Sequence, residues 1–182
     1  LQSVSLFWDL SEKQLGYIAK QMIPRNYSSG EYFFLEDSEG EQCFFVINGS
    51  VKVTRLSKDG REVILAILNE GEFFGEMSLL DGDARSANVI ALENTKVFTL
   101  NRKDFLNVIK EYPGIAIELI KILAHRIRKS DRQITSLSLS DAEKRIALCI
   151  LRIADEQGII QRGLVSIKKM PIQQDIANMS GT

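Results

Sequence analysis

Four residues between positions 71 and 89 have the chemistry needed to hold a phosphate beside a sugar hydroxyl. Gly75 lacks a Cβ and lets a ligand come close to the backbone. Glu76 is excluded from a phosphate by its charge, so its natural partner is a neutral donor such as a ribose 2′-hydroxyl. Arg85 offers a planar, permanently charged fork for phosphate oxygens, and Ser86 adds a hydroxyl. The segment therefore predicts a site for a cyclic mononucleotide.

Residues 71–89 resemble the phosphate-binding cassette of the catabolite activator protein (CRP/FNR) family of bacterial transcription regulators. In that family's cyclic-nucleotide sensors, residues matching Gly75, Glu76, Arg85 and Ser86 hold the ribose and the cyclic phosphate. The resemblance extends over nearly the whole chain. The effector-binding residues that it implies in this segment are Gly75, Glu76, Met77, Arg85, Ser86 and Ala87.

The composition is that of a globular protein with one or two small domains, since 45% of the 182 residues are hydrophobic and 26% are charged. No apolar run approaches the roughly 20 residues that cross a bilayer. The sequence also lacks a basic segment followed by an apolar one, which is the pattern of an export signal. The sequence therefore predicts a cytoplasmic protein without a membrane partner.

Catalytic and metal-binding signals are lacking in the sequence, which predicts neither an enzyme nor a cofactor. Cys43 and Cys149 are far apart in apolar surroundings, which favours buried free thiols over a disulfide. Two cysteines cannot hold a four-cysteine iron–sulfur cluster, and His125 as the single histidine gives metal or haem sensing little support. A glycine-rich phosphate loop and a nucleophile–histidine pair are also missing.

Charge is distributed unevenly along the chain. Residues 1–112 contain 12 Lys/Arg against 17 Asp/Glu, whereas residues 113–182 contain 11 against 7. An acidic front part followed by a basic back part fits a sensor joined to a nucleic-acid-binding part.

Short β-type runs separated by turn residues follow one another between about residues 27 and 100. Asn48-Gly49 and Asp59-Gly60 each predict a hairpin between the runs that flank them. Many short strands at regular spacing indicate a β-sandwich or jelly roll, a fold that can hold a ligand inside. The predicted strands are 44–47, 51–55, 62–68, 87–91 and 96–100, and Ser11 with Gln14 predicts a capped helix before them.

A long helix is predicted from Pro113 to at least Leu139, because no breaker interrupts this stretch. Its apolar residues recur at alternating intervals of four and three, which is typical of two parallel helices in contact. The pattern predicts a homodimer. A second apolar stripe, formed by Ile115, Leu119 and Ile122, is expected to pack onto the sensor. The dimer seam comprises Ala116, Ile120, Leu123, Ile127, Ile134 and Leu137, with Ser130 as a polar member.

Ser130 has two interpretations. One polar seam residue can fix the register of paired helices at some cost in stability. The resemblance implies instead that Ser130 hydrogen-bonds the adenine of cyclic AMP and that Asp131, from the other subunit, also reaches the base. Asp131 departs from the family, where a hydroxyl residue is usual. Arg126 matches a residue near the ligand and is a candidate partner of Glu76; the alternative is a solvated basic face.

The end of the chain predicts a DNA-binding domain. Ser140 or Asp141 caps a helix that runs to about Ala154, and residues 164–167 suggest a strand of a winged domain. Residues 171–182 look like the first helix and turn of a helix-turn-helix. The resemblance implies that the base-reading recognition helix follows, so the DNA-binding residues stay unknown.

The expected fold class is α+β: a double-stranded β-helix (jelly-roll) sensor at 1–112, a dimerisation helix at 113–139, and a partial winged helix-turn-helix domain at 140–182. The expected function is a homodimeric DNA-binding transcription regulator under allosteric control by a cyclic nucleotide, with cyclic AMP favoured. RNA polymerase would be a further partner of an activator. One alternative is a regulator that senses another small anion or none. Another is the regulatory module of a larger effector protein, against which the start of the helix-turn-helix argues.

Overall fold

The computed structural model describes residues 1–139, 141–161, 164–167 and 170–181. Within these residues, no helix is both long enough and apolar enough to cross a membrane. The chain forms two compact units. The first comprises Leu1–Arg55 and Leu65–Ala124, and the second comprises Leu56–Ile64 and His125–Thr182.

A 3₁₀ turn at Ser5–Phe7 and helix α1 at Glu12–Ala19 begin the first unit. The capping box at the start of α1 is confirmed: the Ser11 hydroxyl accepts from the Gln14 N–H, and Gln14 Oε1 accepts from the Ser11 N–H at 2.8 Å. These two contacts satisfy backbone donors that the first helical turn leaves without partners.

Eight strands in this part of the chain form two four-stranded sheets, ordered β1-β8-β3-β6 and β2-β7-β4-β5. A buried apolar cluster with residues from both sheets lies between them. This arrangement confirms the predicted jelly roll within an α+β fold. The strands are β1 (Ile23–Tyr27), β2 (Tyr32–Phe34), β3 (Gln42–Asn48), β4 (Ser50–Leu56), β5 (Glu62–Asn69), β6 (Phe73–Phe74), β7 (Asn88–Ala91) and β8 (Thr95–Asn101).

The hairpin predicted at Asn48-Gly49 is wrong, because β3 and β4 belong to different sheets. The turn passes the chain from one sheet to the other. The reason lies in β3, whose residues Cys43–Val46 are all buried. A strand covered on both faces takes the central place that suits it, between β6 and β8. At the turn, Gly49 has a φ of +94°, and a Cβ there would lie 2.6 Å from Thr95 Oγ1.

The hairpin predicted at Asp59-Gly60 is confirmed, since β4 and β5 are neighbours in one sheet. Its loop is closed by two backbone bonds, from Ser57 N–H to Arg61 O and from Gly60 N–H to Ser57 O, both at 2.9 Å.

Helix α3, Arg102–Glu111, was not expected from the sequence, although Asn101 caps it by accepting from the Asp104 N–H at 2.9 Å. Helix α4 spans Pro113–Leu139 and confirms the predicted long helix. Ile115 and Leu119 of α4 are buried in one core with residues of α3 and the first sheet, and Ile122 packs against that core. The second apolar stripe therefore packs onto the sensor as expected.

The predicted dimer seam is largely exposed along α4. Ile120, Ile127, Ile134 and Leu137 are each more than half exposed, whereas Leu123 is partly buried against the core of the first unit. The exposed members form an apolar stripe on the surface of the single chain.

Helix α5, Ala142–Gln157, begins the C-terminal part of the second unit. Asp141 caps it by accepting from the Lys144 N–H at 2.8 Å, while the alternative cap, Ser140, lies outside the described residues. Strand β10 (Leu164–Ile167) is where a strand was expected, and it pairs antiparallel with β9 (Gly158–Gln161), which was not predicted. Helix α6, Gln173–Ser180, confirms the first helix of the predicted helix-turn-helix and ends at the left-handed Gly181.

Two glycine-to-alanine substitutions should separate backbone strain from crowding. Gly60 has a φ of +82° with nothing within 4 Å of the position that a methyl group would take, so Gly60→Ala should lower the free energy of unfolding by only about 1 kcal/mol. Gly49→Ala adds a clash with Asn94 and Thr95, so this substitution should lower the free energy of unfolding by about 3 kcal/mol. Urea denaturation of both variants checks this, and equal losses of stability would show that Asn94 and Thr95 shift easily to make room for the methyl group.

Candidate functional site

Within the predicted cassette, the predicted effector-binding residues begin where β6 ends. Gly75 follows with a φ of +79°, then Glu76, helix α2 (Met77–Asp81) and the left-handed Gly82. A Cβ at Gly75 would lie 2.7 Å from Arg85 Nη1 and 3.2 Å from the Gln42 carbonyl oxygen. Glycine at this position therefore makes room for the arginine side chain of the same cassette.

The Arg85 side chain is almost fully buried, with 4% of the residue exposed. Nη1 donates to the Gly75 carbonyl at 2.7 Å, and Nη2 donates to the Gln42 carbonyl at 2.6 Å. Cζ lies 4.1 Å from the centroid of the Phe34 ring, a cation–π distance. Nε is buried and has no hydrogen-bond partner among the described residues. Burial lowers the pKa of the guanidinium, since the surroundings offer poorer solvation than water.

The main chain of Arg85 is held as firmly as its side chain. Its N–H donates to the Ser38 carbonyl and its own carbonyl accepts from the Asp37 N–H, both at 2.9 Å. Asp37 is the one non-glycine residue with positive φ, at +63°, in the described ranges. This loop between β2 and β3 was not predicted as part of the site, although its run Asp37-Ser38-Glu39-Gly40 has the composition of a turn.

Glu76 is buried, with only 2% of the residue exposed. It comes close enough to Cys43 to act on that thiol: burial raises the pKa of Cys43 well above its usual value, and the Glu76 carboxylate raises it further. Cys43 and Cys149 are both buried and free, as predicted. The thiols are therefore packing groups in this structure.

The remaining cassette residues differ in exposure. Ser86 is exposed, and its Oγ lies 3.8 Å from Sδ of Met77, a residue that is half exposed. Ala87 is buried directly before β7. Contacts thus join the two ends of the cassette twice, between Gly75 and Arg85 and between Met77 and Ser86.

The other predicted effector-binding residues lie on α4, in the second unit. Ser130 is exposed, and its Oγ donates to the Arg126 carbonyl one helical turn earlier, at 3.1 Å. Asp131 is exposed as well, and its carbonyl accepts from Thr135 Oγ1 at 2.9 Å. The part that these residues play toward a base, and the pairing of Arg126 with Glu76, stay predictions. Among the described residues, no group of three His, Cys, Asp or Glu is placed to hold a metal ion.

Known proteins share the jelly roll with its cassette and the long helix that follows it. The family model of the cyclic nucleotide-binding domain matches residues 24–112. A cyclic AMP receptor protein of Thermus thermophilus is 35% identical over 148 residues, which is 81% of this chain and 68% of that protein. A CRP-like cAMP-activated global transcriptional regulator of Mycobacterium tuberculosis is 26% identical over 181 residues, 100% of this chain and 81% of that protein. The crystal structure of Thermus thermophilus catabolite activator protein matches with a TM-score of 0.68 at 32% identity, covering 98% of this chain and 80% of that one.

The jelly roll with its arginine-containing cassette therefore belongs to the class of cyclic nucleotide-binding domains. Here it is followed by a long helix and the first helix of a helix-turn-helix. The chain belongs to the catabolite activator protein (CRP/FNR) family of transcription regulators, which confirms the resemblance seen in the sequence.

Removing the Arg85 guanidinium should destabilise the sensor itself. In Arg85→Met the side-chain stem is kept, but the Gly75 and Gln42 carbonyls lose their donor, so the free energy of unfolding should fall by about 2–4 kcal/mol. Ser86→Ala removes only an exposed hydroxyl and should leave stability within about 0.5 kcal/mol of the parent. Chemical denaturation compares the two, and an undiminished stability of Arg85→Met would mean that these carbonyls find other donors.

Proposed function

We propose that this regulator is a homodimer that binds double-stranded DNA under allosteric control by a cyclic nucleotide, with cyclic AMP favoured. The observation that carries the proposal is the geometry of the cassette, in which a buried guanidinium beside Glu76 is anchored by two backbone carbonyls. Cyclic AMP is favoured because it stands in the names of both relatives described above.

Arg85 is the proposed phosphate ligand. A guanidinium has more N–H groups than the two bonds to Gly75 and Gln42 use, so the side chain retains donors for an anion. Its pKa is lowered by burial, and an approaching phosphate would restore the solvation that the site lacks. Ser86 Oγ and the Ala87 N–H are further proposed donors to the cyclic phosphate, and Met77 borders the ligand.

Glu76 is the proposed ligand of the ribose 2′-hydroxyl. Its carboxylate is buried next to a cationic side chain, and a carboxylate can accept from a hydroxyl but repels phosphate. A hydrogen bond to a charged acceptor is stronger than one between neutral groups, so this contact would distinguish ribose from deoxyribose.

The base is proposed to contact Ser130 of one protomer and Asp131 of the partner subunit, with Arg126 nearby. Asp131 accepts but does not donate when ionised, which suits the amino group of adenine.

Ligand binding at the seam of α4 would favour one arrangement of the dimer. It would thereby shift the equilibrium toward the conformation in which the two DNA-binding domains fit their sites. In a dimer of this kind, the two half-sites lie about one helical turn apart. We expect the protein in the cytoplasm with its DNA, and RNA polymerase as a partner if it activates transcription.

One alternative rests on a specific residue. Asp131 is acidic where the family has a hydroxyl residue. The alternative is therefore a regulator whose jelly roll binds a different small anion, or one that regulates transcription without an effector. Titration with several nucleotides separates these possibilities.

Weakening either member of the proposed Glu76–ribose pair should weaken the binding of cyclic AMP. In isothermal titration calorimetry, we expect Glu76→Gln to bind cyclic AMP roughly 10-fold to 100-fold more weakly than the parent. The parent should show a similar loss with 2′-deoxy cyclic AMP. The variant should distinguish the two ligands less than the parent does, because a neutral amide oxygen accepts a weaker hydrogen bond than a carboxylate.

Ser86→Ala and cyclic GMP complete this experiment. Ser86→Ala should retain discrimination against the deoxy ligand while losing part of the phosphate affinity, and cyclic GMP tests the base preference. Equal discrimination by parent and Glu76→Gln would contradict the assignment of Glu76. Failure of the parent to bind either nucleotide would overturn the cyclic-nucleotide proposal.

A charge placed in the proposed dimer seam should separate the protomers. Ile127 is 62% exposed in the single chain, and Ile127→Glu would place two carboxylates against each other in a parallel pair of helices. We expect a monomer in sedimentation velocity at concentrations where the parent is a dimer. His125→Glu introduces the same residue on the outer face of the same helix and should leave the dimer intact. A dimeric Ile127→Glu would contradict the seam.

A further inference from the structure

Gly40 lies in the loop between β2 and β3, and none of the sequence patterns pointed to it. A Cβ at this position would lie 2.5 Å from Ser78 Cβ, 2.8 Å from Ser78 Oγ and 2.8 Å from Arg85 Nε. All three distances are shorter than real Cβ contacts. The φ of Gly40 lies outside the left-handed region, so glycine is needed here for space and not for backbone conformation.

The two residues that approach Gly40 cannot easily move away. Ser78 and Arg85 are each 4% exposed, so neither side chain can swing into solvent. Arg85 is also tied to the Gly75 and Gln42 carbonyls, and its backbone is bonded to Asp37 and Ser38 in the same loop as Gly40. A side chain at position 40 would therefore displace the guanidinium, helix α2, or both.

The space that a side chain at Gly40 would need is occupied by both halves of the cassette. Ser78 belongs to α2, which directly follows Glu76, and Arg85 is the proposed phosphate ligand. The loop at Gly40 thus sets the distance between the helix that carries Glu76 at its start and the arginine that must reach the same ligand.

We propose that Gly40 and Ser78 form a matched pair of small residues that positions Arg85 and α2 for the effector phosphate. Gly40 is a positioning residue, since it acts through Arg85 and Ser78. The inference rests on the proposed function for its effect on ligand binding, but the contact itself is independent of any ligand.

The test uses two double variants of the full chain that differ in one methyl group. Gly40→Ala should bind cyclic AMP at least roughly 10-fold more weakly than the parent, because the charge-assisted hydrogen bonds from Arg85 to the phosphate are misplaced. Calorimetry well below the melting temperature of the variant measures this affinity. Adding Ser78→Gly removes the Cβ that is 2.5 Å away and should restore most of the affinity and of the melting temperature. Adding Ser78→Ala keeps that Cβ and should restore neither.

A control separates this contact from the general effect of a glycine-to-alanine substitution. Gly16→Ala places a methyl group where nothing lies within 4 Å and should leave affinity and melting temperature at or above parental values. Parental affinity and melting temperature in Gly40→Ala, or equal rescue by Ser78→Ala and Ser78→Gly, would overturn the inference.

Two further outcomes are also decisive. If Gly40→Ala does not fold, the two double variants carry the test, with a folded protein expected only for the one that contains Ser78→Gly. If the parent binds neither cyclic AMP nor cyclic GMP, the proposed function fails. The order of melting temperatures among the variants then still supports or overturns the Gly40–Ser78 pair.

Discussion

The sensor depends on one buried cation, the guanidinium of Arg85. Placing a charge in a protein interior is costly unless it is hydrogen-bonded, and here the carbonyls of Gly75 and Gln42 supply that compensation. Gly75 has no Cβ because the guanidinium occupies the space that a Cβ would need. The loop at Asp37 and Ser38 is bonded to the main chain of Arg85. Three separate segments of the chain are thus organised around one side chain that also belongs to the proposed ligand site.

This arrangement gives Arg85 two roles that act on each other. In the structure its side chain donates to backbone carbonyls, and as the proposed phosphate ligand it would also donate to an anion. The incomplete satisfaction of its donors, seen at Nε, leaves the buried charge only partly compensated. An anion that improved this compensation would stabilise the cassette, so the proposed ligand binding would be coupled to local order.

Local signals in the sequence predicted local structure well. The capping box at Ser11, the Asp59-Gly60 hairpin and the cap at Asp141 each depend on residues within a few positions of one another. The Asn48-Gly49 hairpin was wrong because burial of β3 on both faces, a property of the whole fold, decides its partners. Within the site, the cassette could be found from its own segment, whereas Gly40 and Gln42 could not. Their contacts with Arg85 join residues more than 40 positions apart, and nothing in either segment alone indicates them.

The double burial of β3 has a mechanical consequence. Phe44 packs between the two sheets, where the Arg85 guanidinium lies 6.0 Å from its ring centroid. Its neighbour Phe45 points to the opposite face and shares a core with Ile115 and Leu119, at the base of α4. Adjacent residues of one strand therefore belong to two different cores. A twist of β3 would therefore displace side chains in both cores at once, including the core that holds the first turns of the long helix.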